Sequence, residues 1–279
     1  MIERVDDLGE LVQLPGPARR IICLVPSITE TLFAFGAGPS VVGITDYCLH
    51  PSPEVQAKSK IGGTKNIAVA KIVSLGPDLV IANAEENRKH QIETLRAAGV
   101  KVFVTFPKTV DACLKMMRDV AALTGTEAAT APVLHSIEQA RNDARSSTIA
   151  SLPAVFCPIW KNPYMSINHD TFVGCIIHEA GARNIFADSA DRYPQITLAE
   201  VARRKPDIII LPTEPYHFVE FEKTEFEVMG QEVPAIRNRR IHIVEGELLS
   251  WYGPRVSRAL ITLSELFRTE PLRSEKKKE

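Results

Sequence analysis

TEAATAPVLHSIEQARNDARSSTIAS, residues 126–151, is the stretch from which the rest of the chain is read. Its apolar residues recur at Val133/Leu134, Ile137, Ala140 and Ala144, with Glu138, Gln139, Arg141, Asn142 and Arg145 between them. That one-sided pattern predicts an amphipathic helix. No glycine interrupts it, and at 1.5 Å per residue it spans on the order of 35 Å, about the diameter of a small domain. Proline is tolerated in a first turn and disruptive deeper in. Pro132 therefore predicts a continuous helix from about Thr130, with 126–129 as its approach. The flanking sequence reads as two versions of one lobe. The expected organisation is an N-terminal α/β lobe over 1–125, a connecting backbone helix over 126–151 and a C-terminal α/β lobe over 152–279. A single helix between lobes resists jaw-like closure, so small lobe rotations on ligand binding are expected.

Upstream, 20–25 (RIICLV) is a buried-strand run, and Ser27-Ile28-Thr29-Glu30 has the capping-box pattern that starts a helix running to Gly36. Val5 and 11–14 suggest a hairpin before it. Strands are predicted at 41–44, 79–82 and 100–106, alternating with helices at 69–75, 88–98 and 110–123. Downstream, strands at 154–159, 208–211 and 241–244 alternate with helices at 171–180 and 198–204, and a last helix opens at Pro254 and buries Val256, Leu260, Leu263 and Phe267. This alternation implies mainly parallel sheets in two Rossmann-like α/β lobes. IVSLGPDLVIA in the first half and EVARRKPDIIILP in the second share the order helix, Pro-Asp, apolar strand, which suggests a repeated plan.

The 279 residues exceed a typical single core. With a net charge of −1, nothing global draws the chain to nucleic acid or an anionic membrane. The one charge run, RSEKKKE at 273–279, reads as a frayed end. Cys23, Cys48, Cys113, Cys157 and Cys175 are odd in number, widely spaced and without CxxC, against a disulfide framework or zinc knuckle. The first twenty residues contain no apolar leader, and no segment approaches 18 uninterrupted apolar residues. A protein with no integral membrane segment, cytoplasmic as written, is the expectation; a periplasmic or surface-anchored protein is the alternative if an export signal has been removed. There is no GxSxG, GxGxxG or phosphate loop, and His178-Glu179-Ala180-Gly181-Ala182 lacks the second histidine of a zincin. No catalytic residues are identified and no cofactor is required.

The aromatic residues point to a site. The 11 Phe fall mostly in periodic apolar runs, whereas all 2 Trp and 5 Tyr fall in predicted loops, most of them just after strands. These are Tyr47, Trp160, Tyr164, Tyr193, Tyr216, Trp251 and Tyr252. In open parallel sheets the strand carboxyl ends face the ligand crevice, so two facing lobes would line a cleft with rings for a flat or bulky ligand. Partly buried edges also attract such rings without any ligand. Cys48 and His50 in one loop, and His217 in another, are candidate metal ligands, with His169-Asp170 and Glu214 as further donors. Ser27 at a helix N-terminus is a candidate for an anionic group as well as a cap.

RIICLVPSITETLFAFGAGPSVVGIT, IVSLGPDLVIA, AAGVKVFV, the connecting helix, GARNIF, RYPQIT and KPDIIIL together resemble the helical-backbone (class III) substrate-binding proteins of ABC importers, over nearly the whole chain. The resemblance implies a non-catalytic protein holding cobalamin, or alternatively haem or a ferric siderophore, between two lobes. A chelatase-like enzyme acting on a metal or tetrapyrrole is the reading from another class. Matched motif to motif with the cobalamin-binding members, ring contacts fall on Tyr47, Tyr164 and Tyr193. Two tryptophans of those members fall on Thr64 and Asn83, and a glutamate falls near Ser250. Acidic residues that dock such proteins on an ABC permease fall on Ala70 and Ala199, with Glu200 adjacent.

Overall fold

The computed structural model describes residues 1–146 and 151–268. Residues 147–150 of the connecting stretch and the charged tail at 273–279 lie outside the described residues. The chain divides into two compact units: Met1–Ser136 with Tyr252–Pro254, and Ile137–Trp251 with the chain from Arg255 onward.

Unit 1 begins with an antiparallel hairpin, β1 (Ile2–Val5) and β2 (Leu11–Leu14). The strands β3 (Ile21–Cys23), β4 (Val41–Ile44), β5 (Ser59–Lys60), β8 (Leu79–Asn83) and β9 (Val102–Thr105) form one parallel sheet in the order β5-β4-β3-β8-β9; β6 (Gly62–Gly63) and β7 (Asn66–Ile67) form a separate short hairpin. Its helices are α1 (Pro26–Ala34), α2 (Val69–Ser74), α3 (Lys89–Ala97) and α4 (Val110–Thr124). β3, β8 and β9 are buried throughout, as near-continuous apolar runs covered on both faces require. The β1–β2 turn is fixed by Asp6, whose buried carboxylate accepts from Leu8 N and Glu10 N (both 2.9 Å), Val104 N (3.1 Å) and Arg96 Nη2 (2.7 Å). With four donors, one of them the Arg96 cation, the buried charge is satisfied.

Helix α5 (Glu127–Ser146) contributes to both units, its division falling after Ser136. Ile137, Ala140 and Ala144 are buried, as the period predicts. Its start is earlier than the sequence suggests: the Thr126 carbonyl accepts from both the amide and the hydroxyl of Thr130 (3.0 Å each), so Pro132 lies inside the helix. The proline removes one intrahelical bond, to the Ala128 carbonyl, and Ala128 is exposed to water that can replace it.

Unit 2 repeats the plan. The strands β10 (Ala154–Phe156), β11 (Arg183–Asn184), β12 (Ile208–Pro212) and β13 (Ile241–Val244) form a parallel sheet in the order β11-β10-β12-β13. Its helices are α6 (Phe172–Glu179), α7 (Leu198–Arg204), the short α8 (Lys223–Phe226), α9 (Pro234–Arg237) and α10 (Gly246–Ser250), and the final α11 (Arg255–Arg268). Val256, Leu260, Leu263 and Phe267 of α11 are buried as predicted. Thr171 and Thr197 cap α6 and α7 by accepting from the amides of Gly174 (3.1 Å) and Glu200 (3.2 Å).

The repeated Pro-Asp pair has the same task in each unit. Asp78, just before β8, accepts from the amides of Arg19 and Arg20 (2.8 and 2.9 Å) ahead of β3; Asp207, just before β12, accepts from the Ala154 amide (2.8 Å) that opens β10. Each carboxylate pins the start of the neighbouring strand.

Two local expectations need correction. Ser27 does not cap α1: Pro26 takes the first helical position, Val25 is the cap residue with no side-chain bond, and Ser27 sits inside the first turn. The run 154–159 is a strand only to Phe156, since Pro158 has no amide to give a ladder.

Candidate functional site

In unit 1 the loops after β3, β4 and β8 all lie at the carboxyl edge of the parallel sheet. Tyr47, in the β4 loop, is 63% exposed and its ring lies over Gly63, where an added Cβ would come within 3.2 Å. The next residue points the other way. Cys48 is buried, its Sγ 3.2 Å from Thr29 Oγ1 and 3.1 Å from Thr45 Oγ1, and burial pushes its thiol above the ordinary value against those hydrogen bonds. A protonated core thiol is a poor metal ligand. His50 follows, half-buried. Ser27 is buried, and its Oγ has no hydrogen-bond partner. Asn83 ends β8 fully buried; its side chain accepts from the amides of Glu85 (2.8 Å) and Glu86 (3.2 Å) and donates to Thr105 Oγ1 (3.3 Å), so it shapes the loop after the strand. Thr64, between β6 and β7, accepts at its carbonyl from Asn87 Nδ2 (3.0 Å). Tyr252 is buried and groups with unit 1.

In unit 2 three predicted rings converge. Trp160 meets Tyr216 edge-on with centroids 5.9 Å apart, Tyr216 lies 4.7 Å from Phe218, and Tyr164 lies 5.7 Å from Phe226. Tyr164 and Tyr216 pack on the unit 2 core, while Trp160 stays 44% exposed. Beneath the rings lies a charged cluster. Lys161 Nζ donates to Glu222 Oε1 (2.7 Å) and Glu225 Oε1 (2.6 Å); Tyr164 donates its hydroxyl to Glu225 (2.9 Å) and Tyr216 to Glu222 (2.9 Å). Glu222 also accepts from the Val219 amide at 3.0 Å. Burial alone would lower Lys161, but its bonds to both glutamates hold the ammonium above its usual range. Burial and the bond to Glu225 push the Tyr164 phenol up to about 12, and the bond to Glu222 raises Tyr216.

The remaining candidates surround this cluster in the sequence. Glu214 accepts from Ser250 Oγ at 2.7 Å and its backbone closes on Gly246, where a Cβ would sit 2.4 Å from Glu214 N. Trp251 lies under the Arg255 guanidinium (4.9 Å) and Tyr193 under Arg192 (5.4 Å). His217 is exposed, with Nδ1 3.0 Å from the Thr213 carbonyl. Donation from Nδ1 to that carbonyl fixes the tautomer whose Nε2 carries the lone pair. Among the described residues no group of three or more His, Cys, Asp or Glu is placed to hold a metal ion. Sequence reading missed Lys161, Glu222 and Glu225, because the glutamates lie 61 and 64 positions from the lysine and no local spacing announces their meeting.

A family model described as periplasmic binding protein matches residues 21–245, from the first residue of β3 to the residue after β13. The chain belongs to this family. The vitamin B12-binding protein of Vibrio cholerae serotype O1 is 27% identical over 200 residues, covering 71% of this chain and 72% of the relative. That of Pectobacterium carotovorum subsp. carotovorum is 28% identical over 201 residues, with 71% and 72% covered. Among solved structures, the periplasmic vitamin B12 binding protein of Vibrio cholerae superposes with a TM-score of 0.79 at 23% identity, covering 91% of this chain and 98% of that one, a likeness of fold. The periplasmic heme-binding protein of Roseiflexus sp. RS-1 superposes with a TM-score of 0.75 at 26% identity, covering 90% and 98%.

As a member of the periplasmic binding protein family the chain is a substrate-binding protein, and the resemblance read from its motifs stands. The expected cytoplasmic location does not, because the family and these relatives are periplasmic binding proteins. The start of the sequence is the wrong guide: residues 2–14 build the β1–β2 hairpin and report on the fold, not on export. Among the described residues no helix is long and apolar enough to cross a membrane.

Proposed function

We propose that the protein binds cobalamin or a related corrinoid without transforming it. The carrying observation is the convergence of Trp160, Tyr164 and Tyr216 on unit 2 of a fold whose relatives are vitamin B12-binding proteins. Ring faces replace water over a flat macrocycle, and each buried aromatic contact adds a large apolar area at small entropic cost. Tyr193 and Trp251 of unit 2 and Tyr47 of unit 1 are further rings of this reading. Ser27, whose hydroxyl has unspent hydrogen-bonding capacity, and Glu214 serve the amide fringe of the ligand. By the motif resemblance Thr64 and Asn83 take the places of two tryptophans, and Asn83 acts through its loop. Tyr252, buried in unit 1, is a further ring of this reading. His217, through Nε2, would be the residue to hold the ligand's metal, ahead of His50 and of the protonated Cys48. The metal arrives with the ligand, and no resident cofactor is needed.

Delivery to an ABC permease needs docking contacts other than the acidic pair of the resemblance. Ala70 and Ala199 are exposed second residues of α2 and α7, and Glu200 is held by Arg204 at 3.2 Å. The haem alternative draws on the Roseiflexus neighbour.

Purified protein mixed with cyanocobalamin and desalted should retain the visible absorbance of the ligand. A colourless protein that also shows no calorimetric heat would reject the corrinoid reading. A thermal-shift panel of cyanocobalamin, ferric haem and a ferric siderophore separates the alternatives, since the shift grows with the logarithm of ligand over dissociation constant.

A further inference from the structure

Tyr164 and Tyr216 have two chemically different things to offer a metal-centred macrocycle: the face of the ring, or a phenolate oxygen bound to the metal. The structure commits both oxygens elsewhere. Each hydroxyl donates to a carboxylate at 2.9 Å, Tyr164 to Glu225 and Tyr216 to Glu222, and Lys161 bridges the same two carboxylates at 2.7 and 2.6 Å. Glu222 is 8% and Lys161 15% exposed at the side chain and Glu225 35%, so the charge-assisted bonds at Glu222 are the better shielded from water. The trio carries a formal charge of −1. A phenol could ligate ferric iron only by passing its proton to that carboxylate, which neutralises the carboxylate and ends its charge-assisted pairing with Lys161, or by losing the proton to water and leaving two anions in contact.

We infer that Lys161, Glu222 and Glu225 are positioning residues that lock Tyr164 and Tyr216, and through Tyr216 the edge-on Trp160, so that the site offers ring faces and excludes phenolate ligation. The substrate class selected is a macrocycle whose metal needs no phenolate, which separates a corrinoid from an iron tetrapyrrole or chelate taken by tyrosinate. The inference rests on the corrinoid reading above for its ligand and on the hydrogen-bond geometry for its lock. The raised ionisation of both phenols agrees with it.

The test uses the full chain, with cyanocobalamin and ferric haem titrated by quenching of tryptophan fluorescence. Tyr164→Phe and Tyr216→Phe should keep cyanocobalamin affinity within about threefold, because the ring face remains. Glu222→Gln and Glu225→Gln should lower the ratio of cyanocobalamin to haem affinity by about tenfold, and Lys161→Arg should preserve it where Lys161→Met does not. A purely structural role would depress both affinities together and leave the ratio unchanged, which overturns the inference. So does a tenfold loss of cyanocobalamin in either phenylalanine variant, or ferric haem bound by wild type with a tyrosinate charge-transfer band that Tyr164→Phe or Tyr216→Phe abolishes. Failure of wild type to bind cyanocobalamin would reject the corrinoid reading separately. The lock is then read without ligand, by alkaline ultraviolet titration: the absorbance lost between wild type and the double phenylalanine variant should titrate above the ordinary tyrosine value. A lost component that titrates at the ordinary value would overturn the lock.

Discussion

Glu179 at the end of α6 is the place to challenge the energetics of unit 2. Its side chain is 6% exposed and accepts four bonds: from Arg141 Nε (3.0 Å) and Nη2 (2.6 Å), and from Arg145 Nε and Nη2 (2.8 Å each). Both arginines belong to the second half of α5, so the carboxylate ties that helix to α6. Glu179→Gln keeps the volume and removes the charge. Arg145 is 54% exposed and can turn to water, whereas Arg141 is 14% exposed and is left facing a neutral amide. Removing one partner from a buried pair costs roughly 3–5 kcal/mol. With Arg141 the only one of the two that is mostly shielded from water, the lower end, about 3 kcal/mol, is the expectation. For a chain of this size that lowers the unfolding midpoint by about 6–12 °C. The assay is thermal unfolding by circular dichroism from pH 7 to 3. Burial pushes the Glu179 carboxyl up, but the two arginines outweigh it and hold it below the ordinary 4.5. A carboxyl depressed by folding contributes stability that is complete above its unfolded value and disappears as pH falls through its folded value. The gap between wild type and Glu179→Gln should therefore be widest near neutrality and close below about pH 4.5. A midpoint loss under about 2 °C at pH 7, or curves that fall in parallel to pH 3, would refute the reasoning.

Other sites give sharper local tests. Gly253 has φ +98° and an added Cβ would lie 2.0 Å from Thr31 Oγ1, so Gly253→Ala should cost about 2–3 kcal/mol in urea unfolding. Asp207→Ala removes the acceptor that opens β10 and should cost about 1–2 kcal/mol by the same measurement, with Asp78→Ala behaving alike in unit 1. Burial pushes the Cys157 thiol up to about 12 and raises Cys23 and Cys48, so these three should stay unreactive to an aromatic disulfide reagent at pH 8 until the protein is denatured. Trp160→Ala should weaken cyanocobalamin at least about tenfold in calorimetry while leaving the unfolding midpoint almost unchanged, because the ring is 44% exposed.

What the sequence revealed followed the range of the forces involved. β3, β4, β8, β9, β12 and β13 and α4, α7 and α11 were legible because apolar period is a local property, and Pro-Asp repeats where a strand start must be pinned; the two-residue strands β5, β6, β7 and β11 are too short to show a period. Ser27 misled because a capping box and a proline-led first turn share the same residue types, and only the backbone around Pro26 separates them. The segment 218–237 breaks into α8, α9 and short 3-10 turns, with charged residues throughout, so it has no period to read. The rings of the candidate site could be placed in loops from composition, but their orientation depends on Lys161, Glu222 and Glu225, whose meeting is a product of the whole unit. Cys48 and Tyr47 are adjacent in sequence and opposite in fate, a distinction that side-chain direction alone decides.

The three residues Tyr252–Pro254 belong to unit 1, and the Gly253 amide reaches Cys113 Sγ at 3.4 Å across 140 positions of sequence. During synthesis, then, the first 136 residues leave the ribosome as an unfinished object. The piece that completes them emerges only after the strands of unit 2 have been made, so a nascent unit 1 must persist with its Cys113 region unfilled. Contacts this far apart in the chain also close slowly. A gene cut after Ser136 would not yield two separable proteins, but one fragment missing its final clasp and another carrying it to no purpose.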